Sequence, residues 1–132
     1  LRLLLDTHIA LWVSTEHESL SRGELATLID PANELAVSAV SIWEMRIKWE
    51  SRFRSGERKE PTNPLALLVA LEALGLPVEP LDAVQAGTAL NVPLQHNDRF
   101  DVLLLTIAQE TGRKLLTRNE KLRGHPLAFH AI

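Results

Sequence analysis

Four polar positions interrupt otherwise apolar stretches of the chain: Asp6 after LRLLL, Glu44 in SIWEMRIK, Asp101 in NDRFDVLLL, and Asn119 after KLLTR. Asp6 and Asn119 follow short continuous apolar runs, the pattern of strands buried on both faces. Glu44 and Asp101 fall at or near expected helix starts. In an open parallel sheet, ligands collect beyond the carboxyl ends of the strands. Three carboxylates and an amide gathered there would form a cation site: the like charges of the acids repel, and a divalent ion is the natural relief. An all-oxygen set suits Mg²⁺ or Mn²⁺ rather than zinc. The chemistry in view is a cation site acting on phosphate.

Each of these residues also has a purely structural reading. Asp6 or Thr7 could cap the helix that follows. Ser41-x-x-Glu44 matches a capping box, and Lys48, four residues on, offers Glu44 an ion pair. Asp98 and Asp101 share a face if both are helical. Asp98 could instead be the cap, leaving Asp101 against the apolar run Val102, Leu103, Leu104, Leu105; burial therefore favours Asp101 as the site residue. Thr117 and Asn119 end the KLL strand; Asn119 could accept through its carbonyl, orient water, or cap the turn that begins at Glu120. His8 and His96 neighbour the acids without paired ligand spacing and read as rim or packing residues.

Alternating strands and helices must position these groups. Strands are expected at Leu1 to Leu5, Leu35 to Ala39, Pro77 to Leu81, Lys114 to Thr117 and Leu127 to Ile132. Helices are expected at Thr7 to Ser14, from Ser21 with Glu24 completing a capping box, and from Ser41 to about Ser51. Others run from Pro64, capped by Asn63, along Leu65, Leu68, Leu71 and Leu74 to Gly75, from Asp82 with Gln85, and from Arg99 to Thr111 before Gly112. The polar stretch Ser51 to Asn63 reads as an exposed loop. The alternation favours an α/β layer fold with a mainly parallel sheet.

Composition narrows the classes further. With 132 residues, 45% of them hydrophobic, the chain forms one domain over residues 1–132. It contains no cysteine, which excludes disulfides and thiolate metal sites and fits a cytoplasmic protein. No apolar run is long enough to span a membrane. LRLLL is too short for a signal-peptide core, and the start at Leu1 implies at least one residue ahead of the first strand. A net charge of −3 argues against coating nucleic acid by charge alone. Phosphate-loop motifs and a G-x-S-x-G elbow are absent.

Together, LLLDTHIALW, VSAVSIWEMRIK, PLQHNDRFDVLLLTIAQ and KLLTRNEKL resemble a PIN-domain protein, and most closely the toxins of VapBC-type toxin–antitoxin pairs. The resemblance covers nearly the whole chain. It implies a three-layer α/β/α sandwich around a mainly parallel four- to five-stranded sheet. It also implies a Mg²⁺- or Mn²⁺-dependent endoribonuclease site, a small antitoxin protein as partner, and self-association as a homodimer. Carried over by position, the family's acids are Asp6, Glu44 and Asp101, with Asp98 as an accessory acid. Where many members have a fourth aspartate after Thr117 and Arg118, this chain has Asn119, and where others place an acid three residues beyond that position it has Leu122.

The reading is hydrolysis of RNA phosphodiesters at Asp6, Glu44 and Asp101, with Asn119 in the fourth position and Thr7 and Thr117 orienting ligand or water. Arg46, Lys48, Arg99 and Arg118 are candidates for the RNA backbone. The alternative is a catalytically impaired PIN-like module that binds protein or RNA. A phosphotransfer domain with Asp6 as nucleophile would want an acid at the position of His8 and is disfavoured.

Overall fold

The computed structural model describes residues 1–131. Five strands form one parallel sheet in the order β3-β2-β1-β4-β5: β1 (Arg2–Leu5), β2 (Glu34–Ser38), β3 (Val78–Glu79), β4 (Lys114–Leu116) and β5 (Ala128–Phe129). Six helices cover it: α1 (Thr7–Thr15), α2 (Arg22–Ile29), α3 (Ala39–Glu50), α4 (Pro64–Ala73), α5 (Ala83–Gly87) and α6 (Arg99–Glu110). The last strand is shorter than expected, and Ile132 lies outside the described residues.

Alternate residues of the central strand face opposite layers, as strand geometry requires. Leu3 and Leu5 join Ile9, Leu28, Met45, Leu67 and Leu71 in one core, under α1 to α4. Leu4 joins Ala36, Leu104, Leu105 and Leu115 in the other, against α6. The result is a three-layer α/β/α sandwich with a core on each side of the sheet. Leu3, Leu4 and Leu5 are all fully buried, which explains why β1 is apolar throughout rather than alternating.

Register brings the strand ends together. Leu4 pairs with Ala36 on β2 and with Leu115 on β4, and the Asp6 amide extends the ladder by donating to the Leu116 carbonyl at 2.9 Å. After β1 the chain moves to β2 and β3 on one side, then returns to β4 on the other. The carboxyl ends of β1 and β4 therefore flank the point where strand order reverses, the usual place for a crevice in such sheets.

Several local signals act as expected. Ser21 and Glu24 form a reciprocal capping box, Asp82 and Gln85 form another, and Asn63 caps α4 behind Pro64. Gly75 and Gly112 follow α4 and α6 with φ of +74° and +65°, the left-handed conformation that stops a helix at low cost in glycine.

Two expectations are corrected. Helix α3 begins at Ala39, not Ser41, because Ser38 at the end of β2 accepts from the Val40 amide; Ser41 is then inside the helix and fully buried. In α4 the buried leucines are Leu67 and Leu71, while Leu65 and Leu74 are exposed. That helix is apolar nearly all round, so spacing alone could not choose its inner face.

Candidate active site

The cleft at the strand reversal, about 350 Å³ in volume, is lined by Asp6, Glu44, Asp98, Asp101 and Asn119, together with His8, Ile9, Trp12, Lys48 and Arg118. Asp6 leaves β1 and caps α1, with Oδ1 accepting from the Thr7 amide at 2.8 Å. Its other oxygen accepts from the Thr117 hydroxyl at 2.6 Å. The cap and the cleft-lining position thus belong to the same carboxylate.

Glu44 makes no capping box. Its Oε1 accepts from the Thr7 hydroxyl at 2.7 Å, and Ser41 Oγ lies 2.9 Å from that same hydroxyl. Thr7 has one proton to give, so it donates to the carboxylate and takes Ser41 as its donor. Lys48 lies 3.1 Å from Glu44 Oε2, so the i,i+4 pair is present. The Thr7 hydroxyl, itself held by Ser41, and the Lys48 ammonium therefore fix this acid at the cleft wall.

Asp98 caps α6 by accepting from the Asp101 amide at 3.0 Å. Asp101 is 7% exposed, in keeping with its place before the apolar run. Its Oδ2 receives Asn119 Nδ2 at 3.2 Å and lies 3.0 Å from His96 Nε2. Asn119 Oδ1 is committed to the Lys121 amide, which fixes the amide orientation and turns the NH₂ group toward Asp101. An aspartate in that position would set a second negative charge against Asp101. The asparagine supplies a donor instead.

Burial, more than any other cause, pushes the Asp6 carboxyl above its ordinary value, and the charge of Glu44 adds to the rise while Thr117 and Thr7 oppose it. Asp101 is raised in the same way, by burial first and then by Asp98 and Asp6, against the contact with His96. Asp6 thus feels Glu44 and Asp101 feels Asp6, as expected for acids sharing one cleft.

Among the described residues, no three acidic or imidazole groups are already drawn into a ligand cage. The donor set nevertheless fits a hard divalent cation: Asp6 and Glu44 are half-buried, Asp101 is buried, Asp98 is exposed at the rim, and all four offer oxygen only. Both side-chain hydrogen bonds of Asp101 fall on Oδ2, which leaves Oδ1 to accept a cation or water.

The four basic candidates part company. Lys48 and Arg118 line the cleft. Arg46 pairs with Glu50 and borders a separate apolar groove between α3 and α4, and Arg99 lines a third depression beside α5. Arg118 is tethered: Nε donates to Glu24 Oε2 at 2.9 Å, Nη2 to Glu24 Oε1, and Nη2 also to the Ser19 carbonyl. Glu24 is therefore more than a capping residue, and the Arg118 contact holds its carboxyl below the ordinary range. His96, read from sequence as a rim residue, touches the third acid directly. Its only sequence signal was proximity to Asp98 and Asp101.

Comparison with known proteins bears on the same region. The family model of the PIN domain matches residues 3–126. A Mycobacterium tuberculosis protein named Ribonuclease VapC22 is 32% identical over 126 residues, which is 93% of this chain and 91% of that one. Among solved structures, VapBC2 from Rickettsia felis, bound to a DNA fragment from its promoter, superposes with a TM-score of 0.56 at 15% identity. It covers 98% of this chain and 96% of its own, and at that identity the likeness concerns the fold.

Proposed function

The chain belongs to the PIN-domain family, and from that premise we propose that it is a ribonuclease of the toxin type, hydrolysing RNA phosphodiesters and held inactive by a small cognate antitoxin. The observation that carries the reading is the convergence of Asp6, Glu44, Asp98, Asp101 and Asn119 on one cleft at the carboxyl end of the sheet. A relative matching nearly the whole chain is named as a ribonuclease, which favours cutting RNA over binding alone. The protein would act in the cytoplasm, where its RNA is, and as a homodimer.

Asp6, Glu44 and Asp101 would hold Mg²⁺ or Mn²⁺, with Asp98 as an accessory acid, and when bound the cation would neutralise the attacked phosphate and acidify water. The chain's own groups prepare that site. Thr117 and the Thr7 amide fix both oxygens of Asp6, while the Thr7 hydroxyl and Lys48 fix Glu44. Asn119 and His96 steady Asp101 at Oδ2. Holding the acids in place before substrate arrives removes reorganisation from the reaction step. Hydrolysis adds the water oxygen to phosphorus and breaks one P–O ester bond, and the departing ribose oxygen takes up a proton.

The test is cleavage of a mixed RNA pool with Mn²⁺, with Mg²⁺ and with chelator, using wild type beside Asp101→Asn purified identically. Metal-dependent cutting that disappears in the variant is the expected result. Equal cutting by both proteins would overturn the assignment of Asp101 and point to a contaminating nuclease.

A further inference from the structure

We infer that His8, Trp12 and Arg118 form a stacking platform for an unpaired RNA base at the rim of the acidic cleft, an inference that rests on the ribonuclease reading. Three flat groups meet there. The Arg118 guanidinium carbon lies 4.2 Å from the centre of the Trp12 ring, and the His8 ring lies 5.5 Å from it at 35°. All three line the same cleft as Asp6 and Asp101. His8 and Trp12 are four residues apart on one face of α1, whose first residue follows Asp6. The wall therefore begins within one helical turn of the first acid.

The charge of Arg118 is already matched. Both of its contacting nitrogens are on Glu24, which is 2% exposed, and one of them also reaches the Ser19 carbonyl. These contacts take Nε and Nη2, so only Nη1 remains for a phosphate, and Glu24 already balances the positive charge that would attract one. What it keeps is a rigid plane, with 45% of the side chain exposed. Guanidinium planes and aromatic rings are the surfaces on which proteins stack splayed bases. Trp12 packs against the core beneath, so the platform is held from behind. Carboxylates dominate the rest of the cleft and repel a phosphate chain until a cation arrives. A neutral base face is the part of RNA that this wall can take.

The test compares binding of a short single-stranded 2′-O-methyl RNA of mixed sequence, which resists cleavage, with an abasic oligomer of the same length, by fluorescence anisotropy. Chelator and Mn²⁺ conditions are run in parallel for wild type, His8→Ala, Trp12→Phe and Arg118→Lys. His8 is exposed, so its truncation leaves the fold intact, and lysine keeps the charge facing Glu24 while losing the plane. Base-bearing RNA should bind tighter than the abasic oligomer. His8→Ala and Arg118→Lys should weaken it by about fivefold to about a hundredfold, Trp12→Phe should retain most of the affinity, and abasic binding should not change. In cleavage of ordinary RNA the same variants should raise KM with kcat held, since the platform does not touch the reacting atoms. Equal binding of the two oligomers, or variants indistinguishable from wild type, overturns the platform. Wild type that cuts RNA alongside variants with unchanged KM refutes the platform and leaves the ribonuclease standing. Base-dependent binding without any metal-dependent cutting does the reverse.

Discussion

Replacing Thr117 with valine removes two hydrogen bonds at almost constant shape. The hydroxyl donates to Asp6 Oδ2 at 2.6 Å and accepts from the Asn119 amide at 3.0 Å, and Thr117 is 1% exposed. A hydrogen bond to a charged group contributes about 1.5–3 kcal/mol, and a buried N–H left unpaired costs a further 1–3 or so. Asp6 opens onto the cleft, so water can replace part of the lost donor. The expected loss is accordingly nearer 2 kcal/mol than the full sum, roughly. With an unfolding entropy of about 280 cal/mol/K for a chain of this length, the melting temperature should fall by about 7 °C. The more telling readout is metal. Outer partners that orient a ligating carboxylate typically contribute about 10- to 100-fold in affinity or activity. Thr117→Val should therefore need that much more Mn²⁺ for half-maximal thermal stabilisation and should cut RNA correspondingly slower. Thr117→Ser keeps the hydroxyl and should recover most of both. A valine variant whose Mn²⁺ titration and cleavage match wild type would refute orientation of Asp6 by Thr117. A lower melting temperature with unchanged metal response would reduce Thr117 to a packing residue.

Two further expectations concern pH and charge. Burial raises Asp6 and Asp101 above 3.8, so the folded chain holds these protons more tightly than the unfolded chain. Their contribution to stability is present at low pH and is lost as pH rises through the raised values. In metal-free protein, urea unfolding should show Asp6→Asn gaining on wild type as pH rises from about 4 to about 7, with Mn²⁺ closing the gap; a gap independent of pH would contradict the burial argument. Glu24 has the opposite sign, since Arg118 lowers its carboxyl. Arg118→Met strands an acid that is 2% exposed. Breaking a buried pair costs about 3–5 kcal/mol, and with Arg118 45% exposed solvent screening should reduce this to about 2. The deficit should appear above the ordinary carboxylate range and vanish as pH falls through the depressed value of Glu24. Wild-type stability at neutral pH would show that water serves Glu24 as well as Arg118 does.

Much of this protein is legible residue by residue, because strand and helix signals come from neighbours in the chain. The apolar run before Asp6 is a doubly buried strand, and Ser21, Asn63, Asp82 and Asp98 cap the helices their positions suggest. The apolar residues around Asp101 announced its burial. Where two local signals competed, sequence could not choose between them. The expected strand ran through Ser38 to Ala39 and the expected helix began at Ser41, whereas the turn out of β2 makes Ser38 the cap. Helix α4 is apolar nearly all round, so only the position of the sheet selects Leu67 and Leu71.

The cleft itself belongs to tertiary structure. Asp6 and Thr117 are 111 residues apart and meet because β1 and β4 pair in register. Arg118 and Glu24 are 94 apart, and nothing near either residue announces the other. Sequence determined which residue types were on offer: Asp6, Glu44, Asp101 and Asn119 as oxygen-bearing groups, and Arg46, Lys48, Arg99 and Arg118 as cations. Strand order decided which of them share one space: it left Arg46 and Arg99 outside the cleft, brought His96 onto Asp101, and spent the charge of Arg118 on Glu24. Reach across the sheet is set by pairing and packing between distant segments, and a one-dimensional pattern carries no record of those distances.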